Sequence, residues 1–434
     1  MKTHPLAIGF LLATALAAPT DTQYPVGYGP NPVLPAPEHS LLPTVNVART
    51  EPWKEQEGPL PTPGFTVTAY ARGLDHPRWL YVLPNGDVLV AETNAPPKPD
   101  DSQGIRGFIT RIEMKGAGAA GASPDRITLL RGVDAKGAAQ SRNVFLSGLH
   151  SPFGMALVGN ELYVADSDAV VRYPYQAGET SINAAPTKVM DLPAGRINHH
   201  WTKNIIASPD GQYLYVTVGS NSNVGENGID KEEGRAAIWQ LERSSGKARI
   251  YATGLRNANG MGWEPQTKAL WTAVNERDEL GRDLVPDYMT SVKDGAFYGW
   301  PYSYFGQHID TRVKEQKPEL VAKATVPDYA LGAHTASLGL AFYEAKLFPS
   351  GYQGGVFIGQ HGSWNRKPFS GYKVIFIPFA NGRPAGPPQD FLAGFLDKDG
   401  KAHGRPVGVA VDSQGALLVA DDVGNAVWRI TPRQ

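Results

Sequence analysis

The chain has 434 residues, with 41 Lys and Arg against 42 Asp and Glu, ten His and no Cys. That length exceeds one ordinary core and implies several domains or one large repeat architecture, while a formal net charge of -1 supplies no basic field for nucleic acid. The missing cysteines exclude disulfides, thiolate catalysis, iron–sulfur clusters, covalent haem attachment and a cysteine-linked lipid anchor, so redox work would require a bound organic cofactor.

At the start, Lys2, the mostly apolar run Leu6–Ala18 and the small-x-small site Ala15-Leu16-Ala17 predict a cleavable signal peptide over residues 1–17. The expected location is therefore the periplasm or the exterior, and no later stretch is apolar and long enough for stable membrane insertion. Residues 18–63 hold eleven prolines between Pro19 and Pro63 and read as an extended lead-in. From Gly64 onward the sequence repeats. His76–Glu92, Ser151–Asp166, Asn204–Val218, Asn259–Ala273, Leu338–Gly359 and Pro406–Ala420 each consist of an apolar strand, a turn and a second apolar strand. Most of the turns carry Gly, Asn or Asp, which suit the positive backbone angles of a tight hairpin. A third strand follows several of them, as at Ala169–Tyr173, Ala236–Leu241, Tyr372–Pro378 and Ala426–Ile430.

Hairpins of constant form at irregular spacing predict an all-β fold, a six-bladed β-propeller over residues 64–434 with insertions between blades. The last unit is one strand short and Gly64–Ala71 precedes the first hairpin, so that segment is expected to complete the last blade and hide two sheet edges.

In a propeller the chain enters every innermost strand at one rim of the channel. Here those points are His76–Arg78, His150–Ser151, His199–His200, Arg256–Asn257, His334–Thr335 and His403–Arg405. With His361 nearby, seven of the ten histidines gather at this rim. Arg78, Arg256, Arg366 and Arg405 share it and imply a polyanionic ligand with carboxylates that guanidinium groups can grip. The segment Asn275–Asp287 holds five carboxylates and suits a hard cation such as Ca²⁺, although it lacks an EF-hand pattern. Gln360–Arg366 joins His361, Trp364, Asn365 and Arg366, a set able to stack on and hydrogen-bond a flat heterocycle.

Taken together, these segments resemble the soluble PQQ-dependent glucose/sorbosone dehydrogenase family, most closely its sorbosone and pyranose dehydrogenase branch. The resemblance spans nearly all of residues 64–434 and is carried by Leu74–Trp79, Asn198–Trp201, Gly254–Asn257, Asn275–Glu279, Tyr298–Pro301 and His361–Arg366. It implies pyrroloquinoline quinone (PQQ) and Ca²⁺ at the channel mouth and oxidation of the C1 hydroxyl of an aldose, or of a sugar aldehyde, with electrons passed to an external acceptor. By that resemblance His200 is the general base. Trp201–Asn204 departs from the small-residue, Arg-containing stretch of the glucose-oxidising branch, so His199 stays open as a substitute. The resemblance assigns Arg78, Arg256, Asn257, His361, Trp364, Asn365, Arg366 and Arg405 to the cofactor. It assigns Arg277 and Asp278 to the metal through their backbone carbonyls, where the glucose-type enzymes have Gly-Pro. Two other classes use propellers. A metal-dependent lactonase-like hydrolase would need Glu, Asp and Asn ligands where this rim shows His and Arg, and a non-catalytic binding propeller would take up no cofactor.

Overall fold

The computed structural model describes residues 24–38, 46–96, 121–195 and 197–433; the predicted signal peptide lies outside them. Among the described residues, six sheets of four or five strands form the blades. Blade 1 runs through Pro77–Val82, Val88–Glu92, Arg126–Arg131 and Ser141–Ser147. Blade 2 comprises Met155–Val158, Glu161–Ala165, Ala169–Pro174 and Thr187–Asp191. Blade 3 comprises Ile205–Ala207, Tyr213–Val218, Ala237–Glu242 and Ala248–Thr253. Blade 4 is built from Ala258–Trp263, Leu270–Val274, Pro286–Ser291 and Tyr329–Ala333. Blade 5 follows with Ser337–Phe342, Val356–Gln360, Lys373–Ile377 and Gln389–Ala393. In blade 6, Pro406–Val411, Leu417–Asp421 and Ala426–Pro432 are joined by Phe65–Arg72, which pairs antiparallel with Ala426–Pro432 from Arg72 opposite Ala426 to Phe65 opposite Pro432. The ring closes by the strand that the sequence pattern singled out.

The lead-in does more than run past the ring. Tyr28–Gly29 adds a fifth strand to blade 4 against Leu331 and Ala330, and Leu60–Pro61 does the same for blade 5 against Ala393 and Leu392. Arg49–Thr50 pairs parallel with Lys401–Ala402. These additions cover outer edges that would otherwise offer unpaired backbone groups. Proline prevents longer pairing, so each contact lasts two residues.

Alternating apolar positions on both faces of each sheet bury between neighbouring blades, giving six inter-blade clusters instead of one central core. Toward the axis the inner strands nearly touch. A Cβ on Gly339 would stand 2.2 Å from the Val407 carbonyl oxygen, and one on Gly408 would stand 2.8 Å from that of Arg78. Only glycine permits this approach, which draws the starts of the inner strands together at one mouth. Three residues there, His76, Ser151 and His334, hold left-handed φ angles of 48°, 48° and 56°, a strained geometry that concentrates at functional rims. Among the described residues no helix is long and apolar enough to cross a membrane.

Candidate active site at the channel mouth

The inner-strand starts meet as three linked clusters. The first joins blades 1, 5 and 6. Asp422, just past the second strand of blade 6, is buried and accepts from Arg78 Nη1 at 2.8 Å and from His361 Nε2 at 2.9 Å. Arg405 is held beside them, donating from Nε to the His361 carbonyl at 3.1 Å and from Nη2 to the Gly362 carbonyl at 3.0 Å. Burial pushes the His361 imidazolium down to about 4 against the attraction of Asp422, and Arg405 and Arg78 add a smaller repulsion in the same direction as burial. Burial alone would raise the Asp422 carboxyl, but the neighbouring His361 and Arg78 hold it well below the usual range.

The second cluster belongs to blades 4 and 5. His334 places Nδ1 3.1 Å from Asp278 Oδ1 and Nε2 2.9 Å from the Gly281 carbonyl oxygen. Asn365 Nδ2 donates to the same Asp278 oxygen at 2.8 Å. Although burial penalises the His334 cation, the Asp278 contact raises its pKa above the ordinary histidine value. Arg256, 2% exposed, is committed to its own chain: it donates to the carbonyls of Asn223, Asn275 and Glu276 and to Asn223 Oδ1. It therefore shapes the wall under the site and does not present an open fork to a carboxylate.

The third cluster carries His200. Its Nδ1 lies 2.8 Å from the Ser220 carbonyl oxygen and 3.0 Å from Ser220 Oγ. A carbonyl only accepts, so Nδ1 carries the proton and Nε2 is the basic nitrogen. Gly219 separates this imidazole from Asn257, since a Cβ there would stand 2.5 Å from both Asn257 Oδ1 and His200 Cβ. His199 stands edge-on to His200, ring centroids 5.0 Å apart, on the more exposed side. Trp201 ties this cluster to the first, with the Arg78 guanidinium 5.5 Å over its ring.

Several expected residues lie elsewhere. Arg366 donates to the Arg282 and Pro368 carbonyls and meets Asp283 at 2.7 Å. Trp364 is 36% exposed and its carbonyl accepts from Asn46 N, so neither residue is drawn into the clusters. His150 is 70% exposed beside Asp168, and His403 packs on Trp53 with ring centroids 5.1 Å apart.

The side chains of the acidic segment do not form a calcium cage. Arg277 is wholly buried and its guanidinium is held by Asp310 and by the carbonyls of Pro301 and Ser303. The Asp278 carbonyl already accepts from Asn223 Nδ2 at 3.1 Å and Arg312 Nη1 at 3.0 Å. The carboxylates of Asp278, Asp283 and Asp287 are each satisfied by protein donors, and among the described residues no three His, Asp or Glu converge as metal ligands. Read from sequence alone, the run looked oxygen-rich because the basic partners that neutralise it lie up to scores of residues away.

The same mouth does fit a polar organic cofactor. Arg78 Nε, Asn257 Oδ1 and Asn365 Oδ1 are buried with no hydrogen-bond partner among the described residues. Such atoms are costly to leave unmet and mark where a ligand's polar groups complete them. Sequence reasoning missed Asp422, Ser220, Asn223 and Lys203. Asp422 could have been found as the polar residue just past the sixth hairpin's second strand.

A family model described as TrAA12-like matches residues 127–295 and 304–433. The chain belongs to the TrAA12-like family. That membership agrees with the family resemblance drawn from the sequence. The chain is 30% identical over 294 residues to an uncharacterised protein of Borreliella burgdorferi, covering 65% of this chain and 76% of that one. Identity to the aldose sugar dehydrogenase YliI of Escherichia coli is 27% over 186 residues, 40% of this chain and 48% of the relative. The fold superimposes on the holo form of the pyranose dehydrogenase PQQ domain from Coprinopsis cinerea with a TM-score of 0.68 at 19% identity, covering 89% of this chain and all of that domain.

Proposed function

We propose that this TrAA12-like protein is a PQQ-dependent sugar dehydrogenase that oxidises the C1 hydroxyl of an aldose or a sugar aldehyde. The observation that carries the reading is the pinned imidazole of His200, with Nδ1 on Ser220, beside the unpartnered amide oxygen of Asn257 in a mouth walled by Arg78 and Arg405. The relatives named a pyranose dehydrogenase PQQ domain and an aldose sugar dehydrogenase support it.

When bound, PQQ supplies the two-electron acceptor for the C1 hydrogen. The residues of the chain do the remainder. Arg78 and Arg405 form the positive wall that would receive carboxylates, with the neutral His361 ring held beside them by Asp422, and Asn257 and Asn365 offer amide groups to ring substituents. His200 takes the hydroxyl proton on Nε2, while Ser220 holds the resulting imidazolium by its Nδ1–H. Ser220 Oγ also donates to the Ser222 carbonyl at 2.7 Å, which leaves its lone pairs directed at the imidazole. His199, edge-on to His200, stays the alternative base. The electrons leave to an external acceptor, because a chain without cysteine has no thiolate-bound relay. The resemblance would place Ca²⁺ on the backbone carbonyls of Arg277 and Asp278, of which the Asp278 carbonyl is already shared by Asn223 and Arg312, and the comparison of Ca²⁺ with chelator tests that placement. Export by a leader over residues 1–17, with residues 64–434 as the catalytic domain, belongs to the same proposal, and mass spectrometry of the mature N-terminus tests it.

The deciding experiment adds PQQ to apoprotein, with Ca²⁺ or with chelator, and follows dye reduction across a panel of aldoses and sugar aldehydes. Stoichiometric binding with sugar-dependent reduction is expected. His200→Ala should bind PQQ and lose about 10²- to 10⁴-fold in turnover. Absence of PQQ binding in either buffer sinks the cofactor, and full turnover in His200→Ala sinks the base.

A further inference from the structure

Beneath the turn that carries His200 lies a buried amine that the reaction above does not use. Lys203 is 0% exposed, and its Nζ stands 3.0 Å from the His200 carbonyl oxygen, 3.3 Å from that of Trp201 and 3.5 Å from Asn198 Oδ1. All three are neutral oxygens. Arg235, 7% exposed, reaches the same Asn198 oxygen at 3.1 Å and the carbonyls of Gly219 and Ala194. Two basic side chains thus converge under one turn. Burial, reinforced by Arg235, drives the lysine's pKa well below its ordinary value, which favours the neutral amine.

A buried amine is expensive compared with a methionine of similar size unless its donors are needed. They are needed here because the turn around Asn198–Trp201 has no strand neighbour, so its inward carbonyls find no ladder partner. The root of Lys203 is fixed: its carbonyl accepts from Gly154 N of the preceding blade at 3.0 Å, and the next residue, Asn204, donates its N–H to Thr217 Oγ1 at 2.9 Å. The side chain therefore ties an unsupported turn to two rigid strands.

We propose that Lys203 is a positioning residue for the reaction, holding the His200 and Trp201 carbonyls by hydrogen bonds so that the His200 imidazole stays against Ser220 with Nε2 as the acceptor. The inference rests on His200 being the base, but its first readout does not. In apoprotein, ¹⁵N chemical shifts of the His200 ring report the tautomer directly. Wild type should show a single Nδ1–H form, and Lys203→Met a mixture. With PQQ loaded, Lys203→Met should lose about 100-fold in kcat from a displaced base, move the acidic limb of the kcat–pH profile, and leave PQQ affinity and KM close to wild type. Lys203→Gln keeps two N–H donors without a charge and should retain the wild-type tautomer and most of kcat. A Met variant with unchanged tautomer and kcat overturns the proposal. So does a folded Gln variant as impaired as Met, because charge and not hydrogen bonding would then be responsible. If the Met variant does not fold, the Gln variant alone decides by the same two readouts. Full activity in His200→Ala would remove the catalytic reading while the ring shifts still judged the positioning role.

Discussion

Two histidine–aspartate pairs belong to the mouth, and their surroundings shift the two histidines in opposite directions. His334 meets Asp278 at 3.1 Å and His361 meets Asp422 at 2.9 Å, both largely removed from solvent. Yet the first histidine is raised above its ordinary value and the second is pushed down to about 4. The carboxylate distance cannot account for this. His334 has an acceptor at each ring nitrogen, Asp278 and the Gly281 carbonyl, and so has a use for two protons. His361 shares its carboxylate with Arg78 and lies beside Arg405, so a second positive charge there would be redundant. A pair of this kind is thus defined by its surroundings: one favours the ion pair, the other the neutral donor in a cation-rich corner.

The largest way to break the contrast is Asp422→Ala, which strands Arg78 and His361 together. A loss of about 3–5 kcal/mol is expected in chemical denaturation, the usual cost of removing one partner of a buried pair. Next is the pH dependence. For His361 the folded value lies near 4 against about 6.5 unfolded. The unfolded chain therefore binds the extra proton first, and stability falls as pH drops through that window, by at most about 3 kcal/mol. His361→Asn should flatten this acid limb, and an unchanged slope would refute the assignment. His334 runs the other way. Its raised folded value contributes stability that is complete below the unfolded value and is lost as pH rises through the folded one. Asp278→Asn should abolish that contribution, cost about 1–3 kcal/mol and lower the titration midpoint of the ring followed by NMR. The smallest effect belongs to Arg366→Ala, whose partner Asp283 is 38% exposed. Less than about 1 kcal/mol is expected, and PQQ affinity should barely change.

The blades were legible because each hairpin encodes its own period and turn, and the ring closure because an odd strand stood at each end. The mouth was legible only in part. His200 and Asn257 are found by knowing where inner strands begin, and His361 by its place just past a second strand. Side-chain direction is not encoded there, which is why Arg256 and Arg366, both expected to grip the cofactor, prove to be anchored to carbonyls and to Asp283. The acidic run misled for a related reason. Asp278 is paired with His334 and hydrogen-bonded by Asn365, 56 and 87 residues away, and sequence spacing carries no trace of such partners. Lys203 escaped notice because a lysine between apolar strands reads as exposed, and only the missing ladder partners of the turn explain it.

The strand that closes the ring also sets an order in time. Phe65–Arg72 waits for Ala426–Pro432, and Arg78 for Asp422, so neither the sixth blade nor the positive corner can exist until the chain has been made through Pro432. The mouth therefore cannot be assembled from the first five blades alone.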